Sequence, residues 1–173
     1  MRRAIFLDRD GVLNQVVMKG NAPHPPSSVS DVMILSGVKE FLTELRKKGY
    51  LLICVTNQPD VGRGLQRREE VEFINARIQS ELNLDEIYVC YEAEDSYYKK
   101  PGPGMILEAA QKWGIDLRES FMVGDRWQDI EAGKKAGCRA IFVDYGYGMI
   151  HPCSPDKTFH TAKEALQWIL ELT

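Results

Sequence analysis

Short apolar runs alternate along the chain with segments in which apolar residues recur every three or four positions. The runs lie at 4–7, 51–55, 87–90, 121–123 and 140–143. Each is continuously apolar rather than alternating, the pattern of strands covered on both faces. Between them, Val38, Phe41, Leu42 and Leu45 follow helical spacing, and Gly49 stands where that helix should stop. Val71, Ile74, Ile78 and Leu82 form a second stripe; Ile106, Ala109, Ala110 and Trp113 form a third, closed by Gly114. Ile130 and Ala136 mark a shorter helix after Asp125. Ala162, Ala165, Leu166, Ile169 and Leu170 mark the last one, with His160-Thr161 at its N-cap. This strand–helix repetition predicts an α/β fold: a single Rossmann-like domain over 1–173, with a parallel sheet of about five to six strands and helices on both faces.

In such sheets ligands bind past the carboxyl ends of the strands. The residues there are Asp8, Thr56-Asn57, Gly124-Asp125 and Asp144, and three of these four places carry groups suited to phosphate and a metal. Asp8 and Asp10 leave the first strand two residues apart. Carboxylates this close are costly without a cation or proton between them, and Gly11 permits the sharp turn that would bring them together. Asp129 follows Asp125 at i+4, the spacing of one helix face. It reads equally as an acid that complements the helix dipole or as a support that orients the metal's ligands from behind. A hard cation such as Mg²⁺ takes oxygen ligands in octahedral geometry, and Asp8, the Asp10 carbonyl and Asp125 offer three. The Thr56 hydroxyl, the Asn57-Gln58 segment and the Lys100 ammonium can hold phosphoryl oxygens. Gly62-Arg63-Gly64 adds a cationic loop.

Composition narrows the partners. Of 173 residues, 44% are hydrophobic and 27% charged, as in an ordinary globular chain, and the formal net charge of −3 gives no footprint for nucleic acid. The cluster Arg46-Lys47-Lys48 sits at a predicted helix end, where the dipole favours cations. No apolar stretch has the length of a membrane span, and Asp8 cuts the first apolar run too early for a signal peptide. Four cysteines stand singly with no CxxC pair, which predicts reduced thiols in a cytoplasmic protein. Residues 23–30, rich in Pro and Ser, read as a loop inside the domain. His24 reads as an exposed bystander in that loop, and His151 and His160 lack metal-ligand spacing.

Four motifs in order, 6–14 (Phe-Leu-Asp-Arg-Asp-Gly-Val-Leu-Asn), 55–58 (Val-Thr-Asn-Gln), Lys100-Pro101 and 123–129 with Asp125 and Asp129, resemble those of the haloacid dehalogenase superfamily. The wording around them is similar to its capless branch of heptose-bisphosphate and histidinol-phosphate phosphatases. The resemblance implies a Mg²⁺-dependent phosphomonoesterase for a small phosphorylated metabolite. A heptose 1,7-bisphosphate 7-phosphatase type is the first choice and histidinol phosphate the second. It also implies roles: Asp8 as nucleophile forming an aspartyl-phosphate, Asp10 as acid and then base, Thr56 and Lys100 at the phosphoryl oxygens, and Asp8, Asp10 and Asp125 around the metal. Asn57, Gln58, Arg63, Lys99 and Arg126 would meet substrate. Asp10 should then be protonated part of the time, with burial beside another carboxylate raising its pKa and the metal lowering it. About 25 residues between Asn14 and the first helix leave room for a flap at 15–30 but no cap domain.

The branch usually carries a zinc loop before its lysine motif. Here only Cys90 matches, since the stretch reads Cys90-Tyr91-Glu92 and then Ser96-Tyr97-Tyr98. One thiolate cannot build a tetrahedral site, so no zinc is expected, and the tyrosines should order 91–98. Lys99 replaces the branch's substrate-reading arginine and loses its bidentate fork. Arg126 stands where the heptose phosphatases have a lysine. Two rivals are set aside: a phospho-acceptor receiver domain, whose aspartate would sit on a middle strand, and a DNA 3′-phosphatase, which the acidic balance disfavours. A monomer suffices for an open, lidless site.

Overall fold

The computed structural model describes residues 1–148 and 152–173, so His151 lies outside the described residues. Its main sheet has six parallel strands in the order β5-β4-β1-β6-β7-β8. They are β1 (Arg3–Leu7), β4 (Tyr50–Asn57), β5 (Glu86–Cys90), β6 (Phe121–Gly124), β7 (Arg139–Val143) and β8 (Lys157–Phe159). The helices are α1 (Val38–Lys47), the short α2 (Pro59–Gly62), α3 (Arg68–Leu82), α4 (Gly104–Trp113), α5 (Trp127–Ala136) and α6 (Ala162–Glu171). A separate antiparallel hairpin joins β2 (Val17–Lys19) and β3 (Ala22–His24).

Alternation along β1 shows why both faces need cover. Ile5 and Leu7 pack with Leu52, Leu42, Ile74, Ile78 and Leu166 on the side of α1, α3 and α6. Ala4 and Phe6 pack with Ile53, Met105, Ile106 and Ala132 on the side of α4 and α5. The five predicted strands and five predicted helices are all present. Gly49, Gly114 and Gly137 each hold positive φ where α1, α4 and α5 end, a conformation that only glycine adopts without strain. Thr161 caps α6 by accepting a hydrogen bond from the Glu164 N–H at 3.1 Å.

The structure departs from the sequence pattern in three places. β5 is an edge strand whose residues 86–89 are only half-buried, so it is not covered as its apolar run suggested. β8 pairs with β7 but is short and polar, too weak in pattern to announce itself. The 15–30 flap is partly built: Val17 pairs with His24, Met18 with Pro23 and Lys19 with Ala22. Among the described residues no helix is long and apolar enough to cross a membrane. Cys54, Cys90 and Cys138 are buried free thiols and Cys153 is half-buried.

Candidate active site

β1 and β6 lie side by side at the centre of the sheet and deliver Asp8 and Asp125 to one place. The Asp8 N–H donates to the Val123 carbonyl at 3.0 Å, locking the two strand ends together. The chain then turns back on itself, with the Leu13 N–H reaching the Arg9 carbonyl at 2.9 Å. Gly11 is required at this turn for two reasons. Its φ is +91°, and a Cβ there would lie 2.2 Å from an Asp125 carboxylate oxygen. Gly124 is required for space alone, because a Cβ would lie 2.1 Å from the Asp129 Cβ.

Asp8, Asp125 and Asp129 each bring a carboxylate oxygen within 4.8 Å of the other two, and all three are buried. Asp129 therefore belongs to the acidic cluster itself rather than standing behind it. The reason predicted for it also fails. Asp125 precedes α5, and Arg126 is the N-cap, so the two acids share no helix face. Asp129 turns inward because its Oδ2 accepts the Arg126 backbone N–H at 3.1 Å, an N-terminal capping bond. Lys100 answers part of this charge. Its buried ammonium donates to Asp8 Oδ1 at 2.8 Å and to the Val55 carbonyl at 2.7 Å, and it lies 2.6 Å from Asp129 Oδ1, which uses all three of its protons.

One cation does not balance three carboxylates. Both Asp125 oxygens are buried with no hydrogen-bond partner in the protein, an arrangement that costs several kcal/mol unless something else meets them. Burial, followed by repulsion from Asp129, pushes the Asp8 carboxyl up to about 6 against the Lys100 attraction. Burial and then Asp8 and Asp129 drive Asp125 well above the usual carboxylate range. For Lys100 burial alone would favour the neutral amine, but Asp129 and Asp8 outweigh it and hold the ammonium above its ordinary pKa. Three converging carboxylates, one of them with both oxygens orphaned, fit a cation that prefers hard oxygen ligands.

Asp10 behaves differently from its expectation. Burial alone would raise its pKa, but the Arg9 guanidinium and hydrogen bonds from Asn14, Arg9 and Gln58 outweigh burial and lower it. Arg9 Nε and Nη2 form a fork on the two oxygens at 3.1 and 3.0 Å, Asn14 adds 3.0 Å and Gln58 adds 2.8 Å. Its carboxylate is thus held apart from the cluster of three, leaving residue 10 only its carbonyl for a metal. Arg9 is fully buried, and its Nη1 donates to Asn75 Oδ1 on α3 at 2.8 Å. Sequence reasoning passed over Arg9 and Asn75. The one available signal was an arginine between two motif aspartates, and nothing local distinguishes a buried arginine from a solvated one.

Thr56 is buried and accepts from Gln58 Nε2 at 2.9 Å, so Gln58 bridges Thr56 and Asp10. Asn57 spends its side chain on the main chain of Lys100, donating at 2.9 Å and accepting at 3.0 Å, which positions the lysine rather than reaching for substrate. Lys99 ties down 91–98 by donating to the Ala93 carbonyl at 2.5 Å, with the Ser96 hydroxyl accepting from its N–H at 3.1 Å. The tyrosines take a smaller part than expected. Tyr97 and Tyr98 meet edge to face yet remain exposed, while Tyr91 lies under Arg68. A cleft of about 1040 Å³ opens over Asp8 and is lined by Asn57, Gln58, Arg63, Lys99 and Arg126, and by His24 of the flap, which is a half-buried wall residue rather than an exposed bystander.

Residues 28–137 match the model of the haloacid dehalogenase-like hydrolases. The chain belongs to that family. A D-glycero-beta-D-manno-heptose-1,7-bisphosphate 7-phosphatase of Rhodopseudomonas palustris is 34% identical over 79% of this chain and 80% of the relative. One from Helicobacter pylori is 37% identical over 78% and 79%. With such relatives the chain stands among the family's phosphatases, as a phosphoric monoester hydrolase. In structure it is similar to a D,D-heptose 1,7-bisphosphate phosphatase from B. bronchiseptica complexed with magnesium and phosphate. The TM-score is 0.83 over 99% of each chain, and at 24% identity this likeness supports the fold.

Proposed function

We propose that the protein is a Mg²⁺-dependent heptose-bisphosphate phosphatase that acts through a phosphorylated Asp8. The observation that carries this is the pair of buried, partnerless Asp125 oxygens beside Asp8 and Asp129. Asp8, Asp125, Asp129 and the Asp10 carbonyl are the oxygens that would hold the ion, which supplies positive charge between carboxylate and phosphate when bound. Lys100 keeps Asp8 aimed and supplies the remaining positive charge. Asp8 attacks phosphorus in line, and the bond to the leaving oxygen breaks as that oxygen takes a proton from Asp10. Water then loses a proton to Asp10 and cleaves the aspartyl-phosphate. The four donors around Asp10 favour its ionised form, which suits the second half. The first half requires one of those donors to let go as substrate enters. The Thr56 hydroxyl would donate to a phosphoryl oxygen.

The substrate rests on the named relatives and on a cleft large enough for a phosphorylated sugar. Assayed with Mg²⁺, the purified protein should release phosphate from D-glycero-D-manno-heptose 1,7-bisphosphate faster than from histidinol phosphate or a 3′-phosphorylated oligonucleotide. Asp8→Asn should lower turnover by roughly 10⁴-fold or more while circular dichroism stays unchanged. Undiminished turnover by Asp8→Asn, or preference for another member of this panel, would refute the corresponding part of the reading.

A further inference from the structure

Asp144 is the one strand-end position that the site leaves unused. It follows β7, which β6 separates from β1 in the sheet. Its N–H donates to the Phe159 carbonyl at 2.8 Å, and its Oδ1 accepts the Gly146 N–H at 2.8 Å. An aspartate bonded to the main chain two residues on makes a local turn. Tyr145, inside that turn, reaches back to the bend that follows β1, where its hydroxyl donates to the Gly11 carbonyl at 2.7 Å. No main-chain N–H among the described residues reaches that carbonyl. Burial, and then the Asp125 charge, push the Tyr145 phenol up to about 12, so near neutral pH the hydroxyl keeps the proton it donates.

Gly11 is the residue most in need of such an anchor. Without a Cβ its backbone is the least restrained of any residue, and its φ of +91° leaves it 2.2 Å short of room for a Cβ beside an Asp125 oxygen. Its N–H donates to the Asn14 carbonyl at 2.8 Å. That N–H shares one rigid peptide plane with the Asp10 carbonyl, so the setting of Gly11 decides where the Asp10 carbonyl points. We infer that Tyr145 is a positioning residue for the cation site: its hydroxyl pins Gly11 and thereby directs the Asp10 carbonyl toward Asp8 and Asp125. This rests on the reading of those oxygens as a Mg²⁺ site and deepens it by adding a residue from outside the four motifs. Tyr145 does not line the cleft, so it acts through Gly11 and not on substrate. It is also 37% exposed, so the hydroxyl bond, more than core packing, is what holds its side chain.

Tyr145→Phe keeps the ring and removes only the donor. Calorimetry with Mg²⁺ alone, without substrate, should show affinity about tenfold weaker than wild type, the lower end for groups that orient metal ligands. In turnover assays the Mg²⁺ concentration for half-maximal rate should rise by a similar factor, while saturating Mg²⁺ should return kcat to within about twofold. A merely structural role would not produce that split. Tyr147→Phe is the control. Its ring lies 5.8 Å from that of Tyr145, but the bond to Gly11 belongs to Tyr145, so this variant should bind Mg²⁺ as wild type does. Unchanged Mg²⁺ affinity in Tyr145→Phe, or an equal loss in Tyr147→Phe, overturns the role of Tyr145 and leaves the metal site standing. A wild-type protein that binds no Mg²⁺ overturns the metal site and this role with it. One that binds Mg²⁺ but releases no phosphate counts against the proposed activity, and the affinity ratio still decides the role of Tyr145.

Discussion

Arg9 is the residue whose surroundings most change the chemistry. A guanidinium with no solvent exposure is costly to bury, and it is tolerated here because Asp10 and Asn75 together accept three hydrogen bonds from it. Removing it would strand the Asp10 carboxylate beside Gln58 and Asn14 with no counter-charge. Arg9→Met should therefore cost about 3 kcal/mol in urea unfolding and should also lower turnover. A loss below about 0.5 kcal/mol would show that water replaces the guanidinium freely. Asp125 illustrates the reverse case. Its oxygens have no protein partner, so they mark where the protein has left a place for something it does not itself supply.

Each element contributes through where it ends. β1 and β6 terminate side by side, so two acids far apart in sequence face each other. α5 begins two residues after Asp125, and its first turn recruits Asp129 as a capping group and holds it in the cluster. α6 lends no residue to the wall of the cleft and shows capping by itself. Thr161 and Glu164 satisfy each other's N–H groups at 3.1 and 3.2 Å. Thr161→Ala should cost about 1 kcal/mol in chemical denaturation and leave kcat and KM unchanged; altered kinetics would mean that α6 is coupled to the cleft. The strands and helices of the core were legible because burial on one or both faces imposes a period on the sequence. The hairpin and β8 were not legible, because three-residue strands with exposed side chains leave no period to read.

At the scale of the whole molecule the site sets a pH dependence. Asp8 binds its proton in the fold up to about pH 6, against an ordinary 3.8. An acid that holds protons more tightly folded than unfolded stabilises the fold at low pH, and this contribution fades as pH rises from about 4 to about 6. The loss amounts to about 3 kcal/mol, and Asp125 shifts in the same direction. The metal-free protein should therefore melt at a lower temperature at pH 7 than at pH 5.5, and Asp8→Asn should flatten that fall. Mg²⁺ should raise the melting temperature at pH 7 by mass action, whereas Asp125→Asn should respond weakly. A wild-type melting curve indifferent to both pH and Mg²⁺ would show that the repulsion is relieved by some other means.

The sequence by itself determined the layered α/β architecture, the place of the site past the strand ends, and the motif residues Asp8, Thr56, Lys100 and Asp125. Periodicity and motif spacing are local properties, and a chain carries them before it folds. Only the tertiary structure decided how Asp10 is held ionised by a buried arginine, why Asp129 joins the cluster, and that Asn57 serves Lys100. Those outcomes depend on distances between residues dozens of positions apart, and on the burial that makes each unmatched charge costly. Neither quantity is written in any single stretch of the chain.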